Sequence, residues 1–220
     1  MASDAVGRVT PAPSSSWSAS LVRDGRLAGG LTFLQAAQFM TVIMLAASMA
    51  PAYDVQGGAI SDLGVIAETA LLFNASLVLT GVLNLVVGLL LHQAGAGRGL
   101  LAIYVAAGIG AIGAGLVPLD RSDAHGLFAL AAFLAFNLQA IVASGLSDGP
   151  MRWVGRLAGL VGLAFVVLMV IGDAGSPAVF GPIGHGGAER MIVYPVMLWL
   201  LAFGGYLMGR GSDGSPTPPR

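Results

Sequence analysis

The sequence predicts an all-α fold, an integral membrane bundle of six transmembrane helices. Of its 220 residues 56% are hydrophobic and 10% charged, and the mean hydropathy is +0.84. Apolar runs of this length exceed what a soluble core uses. Six separate windows each hold the roughly 20 apolar residues that cross a hydrocarbon core. Arginines and acids also fall into alternate connections between the windows, as an up-and-down bundle requires.

The windows are Gly30–Ala50, Ala70–His92, Gly99–Leu119, His125–Leu146, Trp153–Gly172 and Arg190–Gly209. Arg23 and Arg26 precede the first, and Ser48-Met49-Ala50 loosely resembles a cleavage site. It reads as an uncleaved span, because its apolar run outlasts a signal-peptide core and Pro51 would follow the cut. Ser61 or Asp62 is placed to cap the second span, and Asp123 the fourth. The third contains "AAGIGAIGAG", with small residues at Ala106-x3-Gly110-x3-Ala114 and Ala107-x3-Ala111-x3-Gly115. The fifth carries Gly155-x3-Gly159 and the sixth Gly205-x3-Gly209, spacings that let helix backbones approach closely in lipid. They read as packing faces within one bundle or as a homo-oligomer or membrane-partner face. Glu189 near the start of the sixth span suits the positive end of its helix dipole.

Residues 1–27 and 210–220 are rich in Ser, Pro, Gly and Ala and read as disordered cytoplasmic ends flanking a six-span domain over 28–209. Every basic residue is arginine. Arg8, Arg23, Arg26, Arg98, Arg152, Arg156, Arg210 and Arg220 fall on one side, Arg121 and Arg190 on the other. By the positive-inside rule this places the chain in the cell (cytoplasmic) membrane with both termini cytoplasmic. The acids Asp54, Asp62, Glu68, Asp120, Asp123, Asp173 and Glu189 then face outward. A net charge of −1 argues against a nucleic-acid partner, so membrane lipids are the expected partners. The absence of cysteine excludes disulfides, iron–sulfur clusters and thiolate zinc sites.

Gln35, Gln38, Asn74, Asn84, Asn137 and Gln139 lie within the spans, where unsatisfied amides are costly and should face other helices. Counted by depth at 1.5 Å per residue, Gln38, Asn84 and Asn137 are expected to share one hydrogen-bonded layer. No acidic or basic residue sits deep in a span, which argues against a proton-driven pump or a voltage sensor. No repeat between halves supports an inverted-repeat transporter.

The chemistry-bearing residues gather in the outer connections: "AISDLG" with Ser61 and Asp62, "LVPLDRSDAHG" with Asp120, Asp123 and His125, and "IGHGGAER" with His185, Glu189 and Arg190. The sequence names no catalytic residue outright, and the candidates are Asp62, His125, His185 and Glu189. Imidazole and carboxylate are zinc ligands, so His125, His185 and Glu189 are the candidate metal set, and a divalent metal such as zinc is the cofactor they would take. Without metal, a histidine paired with an acid would serve as general base. Ser61, Asn74, Asp120 and Arg190 are candidate substrate-binding residues, with Arg190 holding an anionic head group. The same residues also have structural readings, as helix caps and as a partner for Arg190 among the outer acids. No two histidines share a depth within spans, which disfavours a bis-histidine haem.

"ISDLGVIAETALLFNASLVLTGVL" and "GLVPLDRSDAHGLFALAAF" resemble the second-span region and the third-to-fourth connection of domain-of-unknown-function family 998, small polytopic prokaryotic membrane proteins. The likeness covers most of residues 30–209. It implies a six-helix membrane fold and places Ser61, Asp62, Asn74, Asp120 and His125 on the family's polar positions, but implies no activity. Two readings follow. One is an uncharacterised multi-pass protein with an outward-facing polar pocket and a binding, carrier or accessory role. The other is a membrane-embedded metal-dependent or acid-base hydrolase at the outer leaflet.

Overall fold

Alternating apolar and polar stretches become six helices joined at alternate ends. The computed structural model describes residues 16–210, with side chains from residue 25 onward. The helices are α1 (Ser16–Met49), α2 (Ala70–Gln93), α3 (Arg98–Leu116), α4 (Ala124–Ala143), α5 (Gly149–Asp173) and α6 (Gly184–Arg210). Each contains a stretch long and apolar enough to cross a membrane. No strand occurs among the described residues. The expected disorder of the ends falls on residues 1–15 and 211–220, outside the described residues, while α1 starts at Ser16, within the segment read as the N-terminal tail.

Helix ends follow local chemistry. The third window extends to Leu119, but α3 stops at Leu116 because Val117 precedes Pro118 and is forced from helical into more extended backbone. Pro150 sits in the first turn of α5, where its missing N–H costs nothing. A short 3-10 helix, Pro177–Ile183, leads into α6 through Gly184, whose φ of 69° a side chain would resist.

Each helix packs on its sequence neighbours, and α1 packs on α6, closing a six-membered ring that α4 and α6 touch across. The closure depends on Gly29 and Gly204: a Cβ on either would overlap the other's carbonyl oxygen, so the two backbones are in direct contact. Gly110, Ala107, Ala111, Ala114 and Gly115 of the third-span pattern are buried within the bundle, as are Gly155 and Gly159. Gly205 faces open space.

The buried amides form a network that depth alone misassigns. Gln35 donates to Asn84 Oδ1 at 3.2 Å, and Gln139 donates to the same oxygen at 3.0 Å. Asn84 donates to Gln139 Oε1 at 3.1 Å and to the Tyr104 carbonyl at 2.9 Å, so this layer joins α1, α2, α3 and α4. The expected members Gln38 and Asn137 are elsewhere. Gln38 pairs with Ser76 and Thr80 of α2, and Asn137 donates to Phe133 O and Ile192 O. Residues two or three apart on a helix share a depth to within a turn but point in different directions.

The ends of the bundle differ in charge. At the arginine-rich end, Asp148 faces Arg152 and Arg210, each at 3.5 Å, and accepts from the Tyr206 hydroxyl. At the other end lie the acids and the longer connections.

Candidate functional site

The first long connection, residues 50–69, folds across the start of α6. Within its 3-10 helix Ser61–Gly64, Asp62 reaches back so that Oδ2 accepts from Ala59 N at 2.8 Å. Asn74 donates to Gly64 O at 2.8 Å and Thr69 to Leu63 O at 2.8 Å, holding this turn on α2. Asp54 closes the preceding turn by accepting from Gln56 N and Gly57 N.

The segment "GHGGAER" is the other half of this junction. Gly186 N donates to Gln56 O at 2.9 Å, and a Cβ on Gly186 would overlap the carbonyls of Gly58 and Val55. One turn later, Arg190 reaches the same carbonyls: Nη1 donates to Val55 O at 2.8 Å, Gly58 O at 3.1 Å and Gly186 O at 2.8 Å. Its Nη2 donates to the Tyr53 hydroxyl at 2.6 Å, and that hydroxyl donates to the Ala59 carbonyl, 2.7 Å away. A forked guanidinium suits this cluster of acceptors better than a single ammonium does. Burial pushes the Tyr53 phenol above its ordinary value, although Arg190 beside it pulls the other way. Glu189 completes the join by accepting from Ile60 N at 2.6 Å.

Beside this cap, α4, α5, α6 and the first long connection line a partly open cavity of about 580 Å³. It lies toward the acidic end; further along, α4 and α5 are in close contact where Gly159 and Gly162 admit the Asn137 backbone and side chain. One end of the cavity is polar, with Ser61, Asp62, His125, Asp173, His185 and Glu189. The remainder is apolar, chiefly Leu130, Phe133, Val166, Met169, Val170 and Ile192. A smaller void of about 60 Å³ continues into the bundle centre and shares Ser61, His125, Ala129, Phe133, Glu189 and Ile192 as its wall.

Four of the polar residues matter chemically. His125 is only 4% exposed, and its Nδ1 lies 2.8 Å from Val117 O. A carbonyl can only accept, so Nδ1 carries a proton, and in the neutral tautomer with that proton Nε2 is the acceptor nitrogen. That Nε2 is buried and has no partner among the described residues. His185 Nε2 lies 3.2 Å from Asp173 Oδ1 at the rim, and its ring meets Phe180 edge-on. Glu189 is buried, and its Oε1 takes no hydrogen bond from the described residues.

The structure therefore brings Ser61, Asp62, His125, His185 and Glu189 to one cavity. It places Asn74 on the 3-10 turn, Asp120 on the exposed connection between α3 and α4, and Arg190 in the junction. Among the described residues, no group of three His, Asp or Glu side chains is arranged to hold a metal ion. Sequence reasoning missed the apolar wall, whose residue types match those of any lipid-facing helix. It also missed Gln56, which bonds Pro182 O at 2.5 Å. Glycines and a single arginine four residues apart in "GHGGAER" were the available signal for a backbone junction.

A family model described as protein of unknown function (DUF998) matches residues 33–206. Neither the curated proteins nor the solved structures gave a match.

Proposed function

The chain belongs to the DUF998 family, a membership that assigns no activity, and from the geometry of its acidic end we propose that it binds a membrane amphiphile. The observation that carries this reading is the cavity of about 580 Å³ with a polar end at the cap and an apolar end between α4 and α5. A volume of this size suits a small-molecule ligand. Segregated walls match a molecule with a polar head and a hydrocarbon tail, and such molecules are the solvent of this bundle. By the positive-inside argument the cavity opens at the outer leaflet of the cell membrane, with both termini cytoplasmic.

Binding is better supported than hydrolysis. The polar groups at the cavity are mostly engaged in the fold: Asp62 holds Ala59 N, Glu189 holds Ile60 N, and His185 pairs with Asp173. Arg190, the residue expected to orient an anionic substrate, spends its donors on loop oxygens.

The test is photo-crosslinking in phosphatidylcholine nanodiscs with a diazirine-tailed single-chain amphiphile, followed by peptide mapping. The expected labels fall on residues 126–133 and 166–173 and are lost in Ala129→Trp, which fills the wall common to both cavities. Labels spread evenly over the lipid-facing sides of α1, α2 and α5, unchanged in that variant, would overturn the proposal.

A further inference from the structure

The polar end of the cavity is unbalanced in charge. Asp62, Asp173 and Glu189 contribute carboxylates to it, no Lys or Arg lines it, and of its two imidazoles, His125 and His185, the second already faces Asp173 at 3.2 Å. Arg190 adjoins Glu189 in sequence, yet its guanidinium is turned to Val55, Gly58, Gly186 and Tyr53. Glu189 is thus 5% exposed, lines the cavity, and has no ion-pair partner within 4.0 Å among the described residues. A buried carboxylate in that position gains most from a cation brought to it.

A second, independent feature points to the same chemistry. His125 Nε2 is a buried acceptor without a partner on a residue that lines the same cavity. With its Nδ1 hydrogen committed to Val117 O, Nε2 of the neutral ring is free to accept a hydrogen from a ligand. A phosphate or carboxylate head would bring acceptors to acceptors. A primary ammonium brings three donors and a positive charge.

Resting on the amphiphile-binding reading above, we infer that the cavity selects a long-chain amine, its ammonium head at Glu189 and His125 and its tail along Phe133, Met169 and Val170. Its source is an amine-headed lipid of the surrounding membrane.

The experiment titrates the full chain in phosphatidylcholine nanodiscs with dodecylamine, dodecanol and dodecanoate, reading binding by calorimetry against empty nanodiscs. Because the tail is constant, only the head differs. The amine is expected to bind about ten-fold or more tightly than the alcohol, the scale of a charge-assisted over a neutral hydrogen bond, with the carboxylate weakest. Glu189→Gln keeps an oxygen for Ile60 N but removes the charge, and is expected to erase the preference for the amine while the alcohol still binds. Should that variant fail to fold, Asp173→Asn at the exposed rim is expected to reduce the preference. Equal affinity for the three heads, or an amine preference intact in Glu189→Gln, would overturn the inference and leave the amphiphile reading standing. Absence of saturable binding for all three, together with failed crosslinking, would overturn both.

Discussion

The Arg190 guanidinium holds the Tyr53 hydroxyl at 2.6 Å across 137 positions of sequence, and through it the first long connection is fixed to the start of α6. Without this clamp, the Val55 carbonyl loses its donor and the Gly58 carbonyl keeps only the Tyr53 hydroxyl, 3.1 Å away. We expect Arg190→Met to destabilise the protein by about 2–3 kcal/mol, the scale of hydrogen bonds to a charged group. For a chain of this size that is a fall of roughly 4–12 °C in Tm. Thermal unfolding in detergent checks it, and hydrogen exchange is expected to quicken in residues 53–60 before the helices. An unchanged Tm would show that the junction holds without the arginine.

Gly186 serves the same junction by sterics. Gly186→Ala would press a methyl group onto the Gly58 and Val55 carbonyls, backbone atoms that cannot swing aside as a side-chain tip can. A loss comparable to that of Arg190→Met is expected. Because either change frees the same loop, the double variant should lose less than the sum of the two. Gly205→Ala, with nothing near the added atom, is the control and is expected to be neutral or stabilising by up to about 1 kcal/mol.

How far the sequence reaches is visible in these residues. The spans were legible because the length of an apolar run is a one-dimensional quantity that the bilayer fixes, and the family resemblance agreed with it. The polar cap was legible as a gathering of residues in three outer connections. The role of Arg190 was not, because its partners are backbone carbonyls, which carry no residue-type signal until the loop has folded onto them. Nor was the cavity: Ala129, Phe133 and Met169 differ from lipid-facing neighbours only in azimuth. The same loss of azimuth misassigned the amide layer, where Gln35 and Gln139 stand instead of Gln38 and Asn137.

Asn84 should therefore dominate that layer. It takes part in four hydrogen bonds to Gln35, Gln139 and Tyr104, reaching three other helices. At about 0.6 kcal/mol for each interhelical bond in a membrane protein, Asn84→Ala is expected to cost roughly 2 kcal/mol. Asn137→Ala loses one interhelical bond, to Ile192 O, and is expected to cost less. Denaturation in mixed micelles ranks the two, and the reverse order would mean that depth, rather than azimuth, sets the coupling.

The Tyr53 phenol gives the junction a defined alkaline limit. Burial raises its pKa above the ordinary 10.0, outweighing the opposing pull of Arg190, so the fold favours the protonated phenol. A group raised in the folded state contributes stability that is complete below its unfolded pKa and is lost as pH rises through the folded one. The clamp should therefore be insensitive to pH in the neutral range and release only in strong alkali. Phenolate absorbance of the unmodified chain minus that of Tyr53→Phe is expected to show a single group titrating above the free value, with loop exchange quickening over the same interval. A Tyr53 that ionises below the ordinary value would instead mean that the guanidinium outweighs burial, and that the hydrogen bond tightens into an ion pair as pH rises.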